Sequence, residues 1–148
     1  MTDQLLVVKA DCRQNERCLF DGEDMFLDIS ITNKQTAAIG FPLEYAKTTG
    51  PIIKLIDTES KVETFLRPNI ADWDLKEKFT TIQPGQSVNI EWVITSGELR
   101  QFNHRHVDLF AEITIMADVL MNGKVLNFKG SDTVRIVDKE KADDSSQN

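Results

Sequence analysis

His104 and His106 are the only histidines in the chain, and they lie two residues apart. Residues i and i+2 of a strand point to the same face, so both imidazoles could bind one metal ion. Asp108 would share that face if the following strand extended back, and an imidazole–carboxylate set suits a transition metal. The spacing fixes no third ligand, however, so a solvated loop before the strand is favoured. No metal or other cofactor is therefore expected.

Cys12 and Cys18 are the only cysteines. With His104, either could form a nucleophile–base pair, but no local pattern marks a nucleophile site. A zinc site would need a second Cys/His pair at ligand spacing, which the chain lacks. Two free thiols are expected in the cytosol, although a disulfide across this loop is geometrically possible.

Three acids, Asp72, Asp74 and Glu77, surround Trp73. Close carboxylates could bind calcium or act as a general acid and base. The spacing is not that of a calcium loop, and lysines are interspersed among the acids. The sequence also lacks the motifs of phosphate-binding, dinucleotide-binding, serine-hydrolase and zinc-protease sites. We therefore expect a solvated loop with Trp73 packed onto the body of the protein, and no enzymatic activity.

The chain has 148 residues, which predicts one domain over residues 1–138 and a polar tail over residues 139–148. Its net charge of −7, from 24 acids and 17 bases, disfavours nucleic-acid binding and suits a basic protein partner. The N-terminal segment has no signal-peptide pattern, and no apolar run is long enough to span a membrane. A cytoplasmic location follows as an expectation.

Alternating apolar residues predict strands over residues 25–33, 87–94 and 107–120. Within 87–94, Trp92 is in register with Ile90 and Ile94, which predicts a core position. Asn122-Gly123 is a strong two-residue hairpin signal.

The remaining segments are short. Gly40 and Pro42 make residues 38–45 a poor central strand, so an edge strand is expected there. Further strands are predicted over residues 5–10, 51–59, 61–67, 124–130 and 132–138, with helical turns within 68–79 and 97–102. Together these patterns predict an all-β, antiparallel sandwich of eight or nine strands with one or two helical turns, and a small barrel is the alternative.

Two stretches, LKEKFTTIQPGQSVNIEWVI and VDLFAEITIMA, resemble the bacterial intracellular proteinase inhibitor family, as do FLDISITN and IKLIDTESKVETFL. The resemblance covers roughly residues 5–137 and implies a cytoplasmic immunoglobulin-like sandwich. The chain departs from the family outline at residues 68–79, at residues 97–106 and around Asn122-Gly123. No residue is therefore carried over as an inhibitory contact.

Large apolar and arginine side chains on loops are the usual hot spots of protein interfaces. The candidates for a protein-binding site are Arg67, Trp73, Arg100, Phe102 and Arg105. The leading hypothesis is a binding protein that neutralises another protein, as a protease inhibitor or a toxin-immunity protein does, through loops at one end of the sandwich. One alternative is an adaptor or homodimer that pairs through the edge strand at 38–45. The other is a small metal-dependent enzyme or ligand-binding protein that uses His104 and His106.

Overall fold

The computed structural model describes residues 5–13, 18–66 and 69–141, and its regular structure is mostly β. The strands are β1 (Leu6–Cys12), β2 (Leu19–Phe20), β3 (Met25–Asn33), β4 (Ile39–Phe41), β5 (Ile52–Asp57), β6 (Glu63–Phe65), β7 (Thr80–Ile82), β8 (Ser87–Ile94), β9 (Asp108–Met121) and β10 (Lys124–Asp138). Helices α1 (Leu43–Thr49) and α2 (Ser96–Leu99) and the 3₁₀ turn Trp73–Glu77 complete the described elements. None of the helices in these ranges has the length and apolar character needed to cross a bilayer.

The smaller sheet contains three antiparallel strands in the order β1-β3-β8. On β3, Met25, Leu27, Ile29 and Ile31 are buried while the intervening residues are more exposed, so the predicted apolar face is confirmed. Trp92 of β8 packs against the core but is only partly buried.

The larger sheet follows the path β2-β10-β9-β4-β7, with β5 also paired to β9 and β6 paired to β5. It is not purely antiparallel as expected, because β2 runs parallel to β10. The described residues contain ten strands instead of eight or nine. Strands β2 and β7 have only two and three residues, too few to show an alternating pattern.

The residues of β9 and β10 pair without a break. The first pair, Met121 with Lys124, lies beside the turn, and the last pair is Asp108 with Val137. The turn is the predicted Asn122-Gly123, with φ values of 54° and 76°. The two expected return strands are one strand, because Gly130 and Ser131 stay in the ladder. A Cβ at Gly130 would lie 2.9 Å from Val8 Cγ2, so the residue lets β1 approach β10 closely.

Residues 38–45 do not form the expected edge strand. Pro42 lacks a backbone N–H for a sheet ladder and has φ −76°, so the strand ends at Phe41 and α1 begins at Leu43. Ile39 and Gly40 pair with β7 on one side and with β9 on the other. The backbone edge proposed for a homodimer is therefore already occupied within the chain.

Both sheets contribute to one hydrophobic core cluster. A disulfide joins Cys12, at the end of β1, to Cys18, just before β2, so it links the two sheets covalently and the expectation of free thiols is wrong. At 5.3 Å, the Cα–Cα distance suits a disulfide, which the sequence spacing alone could not establish. Asn33 is fully buried and ties β3 to β7, because its side-chain amide donates to the carbonyls of Ala37 and Ile82.

Candidate functional site

Trp73 lies on a structured turn and is exposed. Asp72 caps the 3₁₀ turn by accepting a hydrogen bond from the Asp74 N–H at 3.0 Å, which fixes the backbone that carries the indole. The Trp73 residue is 72% exposed, so it does not pack onto the body of the protein as expected. The Lys76 ammonium lies 3.5 Å from the indole ring centroid and 5.2 Å from that of Tyr45.

We call the surface formed by Tyr45, Trp73, Lys76 and Met116 the Trp73 face. Met116 points outward from β9 and is 57% exposed. A shallow cavity of about 280 Å³ lies between Tyr45, Lys76 and Met116. The exposed acids Asp72, Asp74 and Glu77 belong to the turn that carries Trp73 or to its cap, and exposed Asp118 lines the cavity. The surface thus combines aromatic and apolar groups, one lysine and nearby acids.

A groove of about 490 Å³ lies beside the free edge of β8. Its lining includes Phe26, Leu66, Asn69 and Trp92. Asn69 also lines a second cavity of about 250 Å³ that reaches Tyr45 and Met116. The groove therefore continues towards the Trp73 face.

Strand β8 turns backbone N–H groups towards this groove, along the edge opposite β3. The Asn33 N–H donates to the Gln86 carbonyl, which fixes the alternation of hydrogen bonds between β3 and β8. In this alternation the backbone N–H groups of Asn89, Glu91 and Val93 point away from β3. Among the described residues, these three N–H groups have no hydrogen-bond partner. Such an edge can accept a further strand.

The structure divides the predicted binding residues into two groups. Arg100 at the end of α2 places its guanidinium 5.3 Å from the Phe20 ring centroid, and Arg105 is exposed. Phe102 is partly buried and lines a cavity of only about 10 Å³ next to residues 106–109. The Trp73 face instead adjoins residues 116–118, about 26 Å further along β9 at the usual rise per residue. Arg67 lies outside the described residues.

Charged side chains gather where β5 and β10 end and β9 begins; we call Asp57, His104, Asp108, Arg135 and Lys141 the strand-end cluster. Asp57 accepts bonds from the Ser60 N–H at 2.8 Å, the Ser60 hydroxyl at 2.6 Å and His104 Nε2 at 2.7 Å. Burial raises the pKa of Asp57, but these bonds and the His104 charge outweigh it, so the net pKa is lowered. The buried carboxylate thus stabilises the turn that connects β5 to β6.

Asp108 is the second buried acid of this cluster. Its two oxygens accept hydrogen bonds from Arg135 Nε at 3.0 Å and Nη2 at 2.9 Å, and Lys141 contacts it as well. Burial raises the pKa of Asp108, while Arg135 and Lys141 lower it by hydrogen bonding and charge, and the net pKa is lowered. Lys141 belongs to residues 139–141, which are helical; the rest of the predicted tail lies outside the described residues.

The two histidines do not converge on one site. His104 binds Asp57 and lies 3.5 Å from Glu59, whereas His106 Nδ1 lies 3.7 Å from Asp138 Oδ1. Asp108, the third ligand considered from sequence, is occupied by Arg135 and Lys141. His106 lies close to Asp138 and Glu140 instead.

Sequence reasoning missed both of these acids. The available signal was an i, i+2 acid pair, Asp138 and Glu140, at the end of the last strand, whose antiparallel partner begins shortly after His106.

A cysteine nucleophile is not available in this structure, because Cys12 and Cys18 are bonded to each other. A Cys/His nucleophile–base pair therefore cannot form while the disulfide is intact.

No family model and no curated protein matches the chain. Among solved structures, target SoR45 of the Northeast Structural Genomics Consortium is 10% identical, with a TM-score of 0.43 and coverage of 91% of this chain and 86% of that one. A protein from Archaeoglobus fulgidus is 11% identical, with a TM-score of 0.40 and coverage of 89% and 95%. A β-glucosidase from Listeria innocua, in complex with laminaribiose, is 12% identical, with a TM-score of 0.37, and covers 88% of this chain but 16% of its own. Likenesses at these TM-scores carry no argument about fold family or activity.

Proposed function

We propose that this chain is a non-enzymatic protein-binding module, built as an immunoglobulin-like β-sandwich, that neutralises a partner protein through the Trp73 face. The observation that carries the proposal is the exposure of Trp73, at 72%, on a capped turn. A fixed, exposed tryptophan gives a large contact area at a small entropic cost on binding. Two sheets that share one core support the sandwich.

The acids near the Trp73 face indicate the kind of partner. Asp72, Asp74 and Asp118 are exposed near the aromatic and apolar side chains of the face, and the whole chain carries a net charge of −7. We propose a basic protein whose apolar side chain packs on Trp73 and Met116 while its lysines and arginines contact the acids. Such charge complementarity increases the association rate and favours one partner over others. Inhibition of a protease and immunity against a toxin are both forms of this function.

The test is affinity capture from the native host lysate with three baits: the wild type, Trp73→Ala and Phe110→Ala. Phe110 is a matched control, because it is also an exposed aromatic residue near a cation, with Arg135 at 5.8 Å from its ring centroid. It lies about 20 Å from Met116 along β9. The captured protein is then purified, and the mass of the complex is measured by light scattering.

The proposal predicts one basic protein captured by the wild type and Phe110→Ala, lost with Trp73→Ala, and bound in a 1:1 complex. Its own activity should fall on binding, and salt should weaken the complex. Equal capture by all three baits would mean that the interface lies outside the Trp73 face. An Arg100→Ala/Arg105→Ala bait then asks whether the second group of predicted residues carries the contact.

The expected cytoplasmic location belongs to the same proposal, and the disulfide gives it a direct test. Disulfides are rare in the cytosol, so a Cys12–Cys18 bond that persists in cells would argue for an oxidising compartment. Alkylation of cells before lysis, followed by mass spectrometry of the Cys12 peptide, distinguishes the two states. Two alkylated thiols would support the cytoplasm.

A second candidate function is self-association through β8, favoured by the N–H groups of Asn89, Glu91 and Val93, which have no hydrogen-bond partner within residues 5–13, 18–66 and 69–141. Two copies joined edge to edge would double the mass at micromolar concentration. Val93→Pro removes one outward N–H while leaving the ladder to β3 intact, and should restore the monomer. A monomeric wild type would exclude this candidate.

A further inference from the structure

His106, Asp138 and Glu140 come together through the β9–β10 ladder. Val137 pairs with Asp108, and the Asp138 N–H donates to the Val107 carbonyl at 2.6 Å. Glu140 follows within the helical residues 139–141 and donates its N–H to Asp138 Oδ1 at 3.0 Å. The end of β10 is thus held against the residues that precede β9.

One ligand atom from each of these three side chains lies within 4.8 Å of the other two. The separation of His106 Nδ1 and Asp138 Oδ1, 3.7 Å, is too long for a hydrogen bond. Two ligand atoms of a tetrahedral zinc site, each about 2.1 Å from the metal, are about 3.4 Å apart. The observed spacing is therefore closer to the edge of a coordination tetrahedron than to a hydrogen bond.

His106 Nδ1 is a buried polar atom with no hydrogen-bond partner among the described residues. Buried polar atoms in native proteins are nearly always satisfied by protein, water or an ion. An unpartnered imidazole nitrogen that faces a carboxylate at a non-bonding distance has the position of a metal ligand.

The charges around these side chains support the same conclusion. Two cations of the strand-end cluster, Arg135 and Lys141, are both bound to Asp108. Within the described ranges, no Lys or Arg nitrogen lies within 4.0 Å of the Glu140 or the Asp138 carboxylate, and the basic side chain near Asp138 is His106 at 3.7 Å. One divalent cation would balance the charge of the two carboxylates.

We propose that His106 Nδ1, Asp138 and Glu140 bind a divalent transition-metal ion, with Zn²⁺ the best fit and a fourth position left to water. One imidazole and two carboxylates suit Zn²⁺ or Mn²⁺, and the stability order of such complexes places Zn²⁺ above Mn²⁺. The ion clamps residues 138–140 to the segment before β9. The site is separate from the Trp73 face, and it does not use His104.

The experiment is calorimetric titration of the tag-free, metal-stripped full chain with ZnCl₂, followed by Co²⁺ absorption spectroscopy as a readout of coordination. Three variants are compared with the wild type. His106→Ala removes the nitrogen ligand, and Glu140→Gln removes an exposed carboxylate without disturbing the core. His104→Ala is the matched control, since His104 also lies near two carboxylates, those of Asp57 and Glu59.

We expect one Zn²⁺ per chain, at least about tenfold weaker binding in Glu140→Gln, no binding in His106→Ala and unchanged binding in His104→Ala. Tetrahedral Co²⁺ bands should appear in the wild type and in His104→Ala only. Equal affinities in all four proteins would mean adventitious surface binding. No heat from the wild type, or a loss confined to His104→Ala, would equally overturn the proposal. Circular dichroism confirms that each variant is folded before titration.

Discussion

The strand-end cluster buries charged side chains, whereas the Trp73 face exposes apolar side chains to solvent. The cluster buries two carboxylates, Asp57 and Asp108, and gives each several hydrogen bonds. The Trp73 face exposes an indole and a thioether and, within the described residues, covers the indole only with a lysine. A buried charge that is fully bonded supports the fold, whereas an exposed apolar patch is typical of a surface that awaits a partner. Changes in the cluster should therefore alter stability, and changes in the face should alter binding.

The largest effect is expected from Asp108→Ala. It removes the acceptor of two Arg135 bonds and of Lys141 from a site that is 7% exposed. We expect the free energy of unfolding, measured with urea, to fall by about 3 kcal/mol. Glu112→Ala is the control, because that carboxylate is 39% exposed and 3.9 Å from Lys54. It should cost less than about 1 kcal/mol; equal losses would contradict the contrast between the two regions.

The next effect concerns the support beneath the Trp73 face. Gly50 ends α1 with φ +80°, and a Cβ there would lie 2.3 Å from Trp92 Cζ2. Gly85 has nearly the same φ, +81°, but a Cβ would meet nothing within 4 Å. Both Gly→Ala changes strain the backbone, but Gly50 also has ψ 172°, a combination essentially restricted to glycine, so the difference combines that strain with the Trp92 contact. We expect Gly50→Ala to cost about 2 kcal/mol more in thermal unfolding than Gly85→Ala.

A smaller effect sharpens the electrostatic side of the comparison. The pKa of Asp57 is lowered in the fold from an ordinary value of 3.8, so its charge stabilises the native state above that pH. This contribution is lost as the pH falls through 3.8 towards the lowered value. Ser60→Ala removes the 2.6 Å hydroxyl bond and should cost about 1–2 kcal/mol at pH 7. The difference from wild type should shrink below pH 3.8.

Ser87→Ala is the control for that series. Its hydroxyl bonds that of Thr32 at 2.6 Å, and neither group is charged. Its effect on unfolding should therefore be the same at pH 7 and pH 3. A Ser60→Ala difference that stayed constant across this range would show that the Asp57 charge does not contribute.

The smallest stability effect is expected from Trp73→Ala. Its visible interaction is the Lys76 contact at 3.5 Å, worth about 0.5–1 kcal/mol at an exposed site. The free energy of unfolding in urea should fall by less than about 1 kcal/mol, while partner capture is lost. A loss above about 2 kcal/mol would make Trp73 a packing residue and remove the main argument for the binding face.

Long alternating patterns predicted their strands well, because alternation depends only on local geometry. Residues 25–33 and 87–94 form strands with those bounds, and Asn122-Gly123 forms the predicted turn. The edge strand expected over residues 38–45 is wrong, because Pro42 ends the strand after Phe41 and α1 begins at Leu43. The disulfide depended on where the two cysteines meet, which their spacing does not determine.

The candidate sites were harder to predict, because they depend on register. The spacing of His104 and His106 allowed one shared metal site, but His104 is bonded to Asp57 at the end of β5, whereas His106 lies near Asp138 at the end of β10. Asp138 reaches His106 only because β9 and β10 pair without a bulge along their whole length. The exposure of Trp73 follows from a capped turn whose orientation the local sequence does not set.

The β9–β10 hairpin also bears on the order of folding events. Pairs beside Asn122-Gly123 close short loops at little entropic cost, whereas the pair of Asp108 and Val137 closes the longest loop of this ladder. We therefore expect φ-values to be high near Val119 and Leu126 and low near Leu109 and Ile136. The strand-end cluster would then form after the transition state. Asp108→Ala should accelerate unfolding in a chevron experiment and leave the refolding rate nearly unchanged.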